Sequence, residues 1–202
     1  MNTKEKIIRA AIELFLMKGF ENVSLNQVAE KVGISKPAIY HHYKNKEALI
    51  YAIYDYFDEK MKIWCMNYFS GIESTKEYFR KMFEAVVIFA NVEETLLGKS
   101  NEGYNSSYNS LMVSFGKYSP EYKKRMSELT IQTRKQIEEL IRTAQNDNII
   151  KKGINSTTLS MLIHSSIEGL SFMYETDESI RIETDSLKVF ELLWKFIAVK
   201  NK

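Results

Sequence analysis

Residues 24–46 read SLNQVAEKVGISKPAIYHHYKNK, and this stretch decides the fold. Ser24 opens it as an N-cap with Gln27 three residues on, the spacing at which serine takes the N3 amide and glutamine takes the N-cap amide. Val28, Ala29 and Val32 form the apolar stripe of a short helix that Gly33 stops. Ser35 then caps a second short helix, Pro37 falls in its first turn where a missing N–H costs nothing, and Ile39 and Tyr43 point inward. The spacing is that of a helix-turn-helix. Ala29 is small where the helices approach, Gly33 takes the awkward backbone angle of the turn, and Ile39, six residues on, packs the second helix on the first. In a nucleic-acid-binding pair the second helix lies in the major groove. Those three residues by themselves fit a core-filling helical hairpin equally well.

Upstream, Ile7, Ile8, Ala11, Leu14 and Phe15 follow helical spacing, with Thr3 as the expected cap and Gly19 as the stop. Downstream, Asn45 caps a long helix with Glu47 in its first turn, running through Leu49, Ile53, Phe57 and Met61 to about Tyr68. Ser74 and Glu77 predict a helix through Phe79, Phe83 and Val87 to about Asn91, and Glu93–Tyr108 reads as a broken helix or loop. Ser119-Pro120 starts a helix to about Gln145, Gly153 and Asn155 mark a boundary, and two last helices read Leu159–Tyr174 and Leu187–Val199. No alternating strand pattern or internal repeat is present. The chain is predicted to be all-α, with about nine helices.

Composition agrees. In 202 residues, 45% are apolar and 27% charged, which excludes disorder, and eight Gly with two Pro leave little for the turns of a sandwich or barrel. The one cysteine, Cys65, cannot form an internal disulfide and reads as core filler in a reducing compartment. No secretory leader and no apolar run of membrane-spanning length is visible, so a cytoplasmic location is expected. Net charge is +2, and residues 1–50 hold eight basic side chains against five Glu, with only four of the aromatics. A basic head and an aromatic body suggest two tasks.

Other constellations read blandly. His41 and His42 are adjacent and project about 100° apart on a helix, which suits nucleic-acid contact better than a shared metal ion. His164 has Glu168 at i+4 and is either a polar handle in a cavity or a satisfied core histidine. Glu93 and Glu94 face differently, so they form no dyad. Nothing supplies a nucleophile, a base and an orienting group, and no cofactor or metal motif is present; an enzyme is not expected. Three glycosylation sequons, at Asn22, Asn105 and Asn155, read as chance in a chain without a leader.

A first helix of about fifteen residues, Ser24, Gly33-Ile34-Ser35, Tyr40, His42, the aromatic Tyr43 and Lys46-Glu47-x-Leu49 together resemble the N-terminal domain of TetR-family transcriptional regulators. The resemblance covers about the first fifty residues; Pro37 departs from the Gly common there. It implies that Lys36, Pro37, Ala38, Tyr40 and His41 lie on the exposed side of the recognition helix. Lys36 would reach a guanine edge or a phosphate, and Ala38 and the Pro37 ring would touch thymine methyls. Tyr40, His42 and Lys46 match phosphate-holding positions, Lys46 at a helix N-terminus, and Asn26 and Gln27 are further backbone-contact candidates.

The resemblance also implies a domain boundary near residues 46/47, with DNA binding in 1–46 and ligand binding and dimerisation in 47–202. Trp64, Tyr68, Phe89, Tyr108, Met112 and Phe115, with His164 and Glu168, are the candidate lining for an apolar, planar or amphipathic effector. Met161, Ser165, Leu170 and Met173, with Leu193, Phe196 and Ile197, offer a symmetric helical face for a homodimer, some of them shared with the monomer core. The resulting expectation is a ligand-responsive regulator, a repressor that binds a palindromic DNA operator as a dimer. The alternative is an effector-independent DNA-organising protein.

Overall fold

Asn2, not Thr3, caps the first helix: its side-chain oxygen accepts the Glu5 amide at 2.9 Å. The structure, a computed structural model, describes residues 2–90 and 108–199. Among them run α1 (Thr3–Lys18), a 3₁₀ turn (Phe20–Asn22), α2 (Leu25–Val32), α3 (Lys36–His42) and α4 (Lys46–Tyr68). Then come α5 (Thr75–Glu84), α6 (Val86–Ala90), α7 (Tyr108–Tyr118), α8 (Pro120–Asn146), α9 (Ser156–Thr176) and α10 (Ile182–Ile197). The described residues contain no strand beyond one isolated antiparallel bridge, Ile150 to Ala198. The all-α expectation holds.

Three elements differ from the sequence reading. The helix expected from Ser74 to about Asn91 breaks at Ala85, where ψ is −19° and Ile88 donates to the Ala85 carbonyl in a tight turn. The β-branched run Val86-Val87-Ile88 that follows favours helix weakly, so tertiary packing of Val86 decides the new direction. Residues 108–118, between the expected loop and the helix start at Ser119-Pro120, are helical. The last helix starts at Ile182, five residues early, with Arg181 before it and no side-chain cap; Asp185 instead accepts the Arg181 amide at 2.9 Å. Glu93 and Glu94, and the expected loop up to residue 107, lie outside the described residues.

The chain divides into two compact units, one of Met1–Tyr68 and Asn91–Arg125, the other of Phe69–Ala90 and Met126–Lys202. This is a division by packing, and it differs from the functional boundary expected near 46/47. In the first unit α1 packs on α2 and α4, and α2 on α3. Ile7, Ala11, Phe15, Val28, Ala29, Ile39, Leu49 and Ile53 form its buried centre. Phe20, from the 3₁₀ turn, meets Phe15 at 5.2 Å, Phe115 at 5.1 Å and Tyr118 at 5.1 Å between ring centroids, all edge-on. Such pairs contribute about 0.5–1.5 kcal/mol each beyond the area they bury.

In the second unit α5 and α6 pack on α10, α6 on α9, and α9 on α10. Phe79, Phe83, Ile141, Ile163, Leu170, Phe190 and Ile197 are buried at its centre. The end of α10 is tied down by backbone: Lys151 donates to the Ile197 carbonyl at 2.9 Å and Val199 to the Ile149 carbonyl at 2.9 Å.

Tyr122, fully buried, donates to the Met112 sulfur and meets Phe115 and Tyr54 edge-on, each at 5.6 Å. Burial first, and the neighbouring Tyr54 second, push its phenol above the ordinary 10.0. A folded pKa raised above the unfolded one contributes stability present below about pH 10 and lost as pH climbs further. Wild-type protein is therefore expected to destabilise steeply above pH 10 in denaturant titrations. Tyr122→Phe should flatten that slope, leaving the smaller part due to Tyr43 and Tyr54, whose phenols burial also raises.

Candidate nucleic-acid interface

The capping box at Ser24 forms as the sequence predicts: the Gln27 amide donates to Ser24 Oγ at 3.3 Å and the Ser24 amide to Gln27 Oε1 at 2.7 Å. Gly33 ends α2 in the left-handed region at φ 77°. No atom crowds its Cβ position, so its requirement is conformational rather than steric. Ser35 caps α3 by accepting the Ala38 amide at 3.3 Å, with Pro37 in the first turn. Ile39 is completely buried and anchors α3 on α2, and Tyr43 closes the same core.

With Ile39 inward, Lys36, Pro37, Tyr40 and His41 are exposed. They stand at i, i+1, i+4 and i+5, one face of α3. Ala38 and His42 are half-buried at its edges, and the His41 and His42 rings stand 6.0 Å apart. A face carrying a cation, two hydrogen-bonding rings, an apolar ring and no carboxylate fits base edges and phosphates. Lys44, exposed just beyond α3, adds a cation that the motif reading did not single out. Of the two residues expected at the start of α2, Gln27 has its Oε1 committed to the capping box. Asn26 is half-buried with its Oδ1 enclosed and unpartnered.

Lys46 is placed differently from the phosphate-holding position that the resemblance implies. Its ammonium donates to the Phe20 carbonyl at 2.5 Å and lies 3.9 Å from the Phe20 ring centroid. Burial lowers its pKa, against a smaller opposing pull from Glu21. The reason is the aromatic seat around Phe20, invisible in the spacing of the motif. The N-terminus of α4 is capped as expected, Asn45 accepting the Ala48 amide at 2.8 Å.

The residues expected to line an effector site are distributed over both compact units. Trp64 and Tyr68 stack in the first unit at 4.5 Å and 20°. Met112 and Phe115 belong to that unit's core, Phe115 being fully buried between Phe15, Phe20 and Tyr122, which gives it a packing role. His164 and Glu168 pair at 3.4 Å in the second unit. The side chains of Phe89 and Tyr108 lie outside the described residues. Of the dimer candidates, Leu170 and Ile197 are buried in the second unit's core and Leu193 packs against it. Met161, Ser165, Met173 and Phe196 are exposed, joined by Leu162, Phe172 and Leu192, which helical periodicity alone does not distinguish from core positions.

The described residues contain a helix-turn-helix, α2 and α3, followed by further helices. Residues 7–53 match the family model described as bacterial regulatory proteins, tetR family. The tetracycline repressor protein class C of Escherichia coli is 42% identical over 50 residues, which are 25% of this chain and 23% of that protein. A solved TetR-family regulator from Cytophaga hutchinsonii superposes with a TM-score of 0.76 at 18% identity, covering 98% of this chain and 96% of that one. The structure of SmeT in complex with triclosan gives 0.69 at 15% identity, covering 98% and 93%. The N-terminal segment is thus similar in sequence to that of TetR-family regulators, and the chain shares the fold of the solved ones. Its matched stretch spans about a fifth to a third of the length of the curated relatives, 19%, 32% and 23% for three of them.

Because Phe20 holds the Lys46 ammonium, Lys46→Met is expected to leave the salt dependence of DNA binding unchanged. Lys36→Ala should reduce the slope of log affinity against log salt by about one if Lys36 holds a phosphate, or relax preference at one base position if it reads a base edge. Fluorescence anisotropy over a salt series checks both; a reduced slope for Lys46→Met restores the phosphate role.

Proposed function

We propose that this protein is a cytoplasmic, homodimeric transcriptional repressor that binds a palindromic operator through α3 and is released by an apolar or amphipathic small molecule. The observation that carries the reading is the α3 face of Lys36, Pro37, Tyr40 and His41, held outward by the buried Ile39. One such helix reads only a few base pairs, so specificity requires two, spaced by the protein's own symmetry.

A stripe on α9 and α10 supports the dimer. Met161, Leu162, Ser165, Phe172 and Met173 recur at helical spacing on one side of α9, as do Leu192 and Phe196 on α10, with Val199 just beyond its end; all are exposed in the single chain. Phe172 and Phe196 are each 64% exposed, a large cost in water that a twofold contact removes. For the effector, support comes from the stacked Trp64 and Tyr68 and from relatives named for a drug-like compound, the tetracycline repressor and the triclosan-bound SmeT. His164 and Glu168 remain the candidate polar contacts. Among the described residues no helix is long and apolar enough to cross a membrane.

Selection from a random duplex library is expected to enrich an inverted repeat, and a screen of apolar and amphipathic compounds to include one that lowers affinity for it. Enrichment without any releasing compound would favour the effector-independent alternative. Phe172→Asp or Phe196→Asp should yield a folded monomer in sedimentation with at least a hundredfold weaker binding to the selected duplex. A dimer of full affinity would place the interface elsewhere.

A further inference from the structure

We propose that the buried hydroxyl of Ser119, together with the Glu47 carboxylate and the Tyr51 hydroxyl, is a positioning joint that sets the recognition helix for its specific DNA site. The proposal rests on the DNA-binding reading above. All three residues lie in the first compact unit, Ser119 between α7 and α8, Glu47 and Tyr51 in the first two turns of α4.

The three oxygens close a triangle. Ser119 Oγ donates to Glu47 Oε1 at 3.0 Å, Tyr51 Oη donates to the same oxygen at 3.0 Å, and the two hydroxyls are 2.8 Å apart. Two hydroxyl hydrogens serve three edges, and the carboxylate, which has none to give, draws them inward. Ser119 Oγ also accepts the Tyr122 amide at 3.3 Å, so the same atom caps α8 and ties that cap to α4. Ser119 is completely buried, so its hydroxyl cannot turn to water if Glu47 withdraws. Hydrogen bonds to an ionised acceptor are roughly twice as strong as neutral ones and more demanding in direction. The far side of Tyr51 is closed by the Arg125 guanidinium, 5.2 Å from its ring centroid and paired with Asp55 at 3.1 Å.

The residue before Glu47 is held by the same corner through a different contact. Phe115 and Tyr118, in the last turn of α7, pack on Phe20, and Phe20 holds the Lys46 ammonium by its ring and its carbonyl. Both residues that open α4 therefore answer to the α7–α8 corner, Lys46 through Phe20 and Glu47 directly. Only Tyr43, Lys44 and Asn45 separate α4 from α3, and Tyr43 is itself buried. So short a link leaves little slack, and a shift of the first turn of α4 carries the reading face of α3 with it. An apolar trio would have served packing; the directional, charged triangle fixes one setting of α4.

The test uses two probes: a duplex that the wild-type protein selects from a random library, and a random-sequence duplex of the same length. Tyr51→Phe and Ser119→Ala are each expected to weaken binding to the selected duplex about tenfold, the loss of roughly one such hydrogen bond. Binding to the random duplex should stay within about twofold. The double variant should lose little more than either single one, as for groups acting in one network, and Ser119→Thr should recover most of the Ser119→Ala loss. Unchanged affinity for the selected duplex overturns the proposal. So does an equal loss on both probes that tracks a lowered melting temperature, since that is packing alone. If Ser119→Ala fails to fold, Tyr51→Phe, which keeps the ring beneath Arg125, decides the matter. A wild-type protein that selects no duplex refutes the DNA-binding reading and this proposal with it, and that outcome is visible before any variant is made.

Discussion

The placement of the helix-turn-helix depends on the burial of one ring. Phe20, just past the end of α1, is covered by Phe15, Phe115 and Tyr118 and in turn covers the Lys46 ammonium. Burying a phenylalanine side chain contributes about 1.5–3 kcal/mol, and a cation over its face about 0.5–2 kcal/mol more. The ring joins elements far apart in sequence, α1, α7 and the start of α4, and so fixes the frame on which the short helices stand. α2 and α3, of eight and seven residues, are too short to be stable alone.

Within that frame the helix-turn-helix is specified locally. The capping box at Ser24, the left-handed Gly33 and the cap at Ser35 set where each short helix starts and stops. The buried Ile39 sets which face of α3 is presented. Each is a short-range effect, which is why the first fifty residues carry so specific a pattern.

The second unit is built on another principle. Phe79, Phe83, Phe190 and Ile163 fill its centre, while α9 and α10 keep Phe172, Met173, Leu192 and Phe196 on the outside. Apolar residues therefore lie on two sides of these helices, and periodicity alone cannot tell the core side from the outer one. This explains why Leu170 and Ile197, read from sequence as candidates for the dimer face, lie in the core, and why Leu162, Phe172 and Leu192 were not singled out.

The sequence by itself determined the all-α class, the caps at Ser24, Ser35, Asn45 and Ser74, the turn at Gly33 and the inward turn of Ile39 and Tyr43, because these follow from contacts within a few residues. Only the tertiary structure decided what the long side chains do. Lys46 reads as an exposed cation at a helix start, yet it folds back on Phe20, twenty-six residues upstream. Glu47 reads as a first-turn carboxylate favouring the helix dipole, yet it also accepts the hydroxyl of Ser119, seventy-two residues away. Phe115 and Met112 read as lining, yet they pack with Tyr122. Caps and periodicity repeat every few residues and are legible along a line. The partner of a long charged or aromatic side chain is chosen by which segments of the chain meet in space, and no local spacing encodes that meeting.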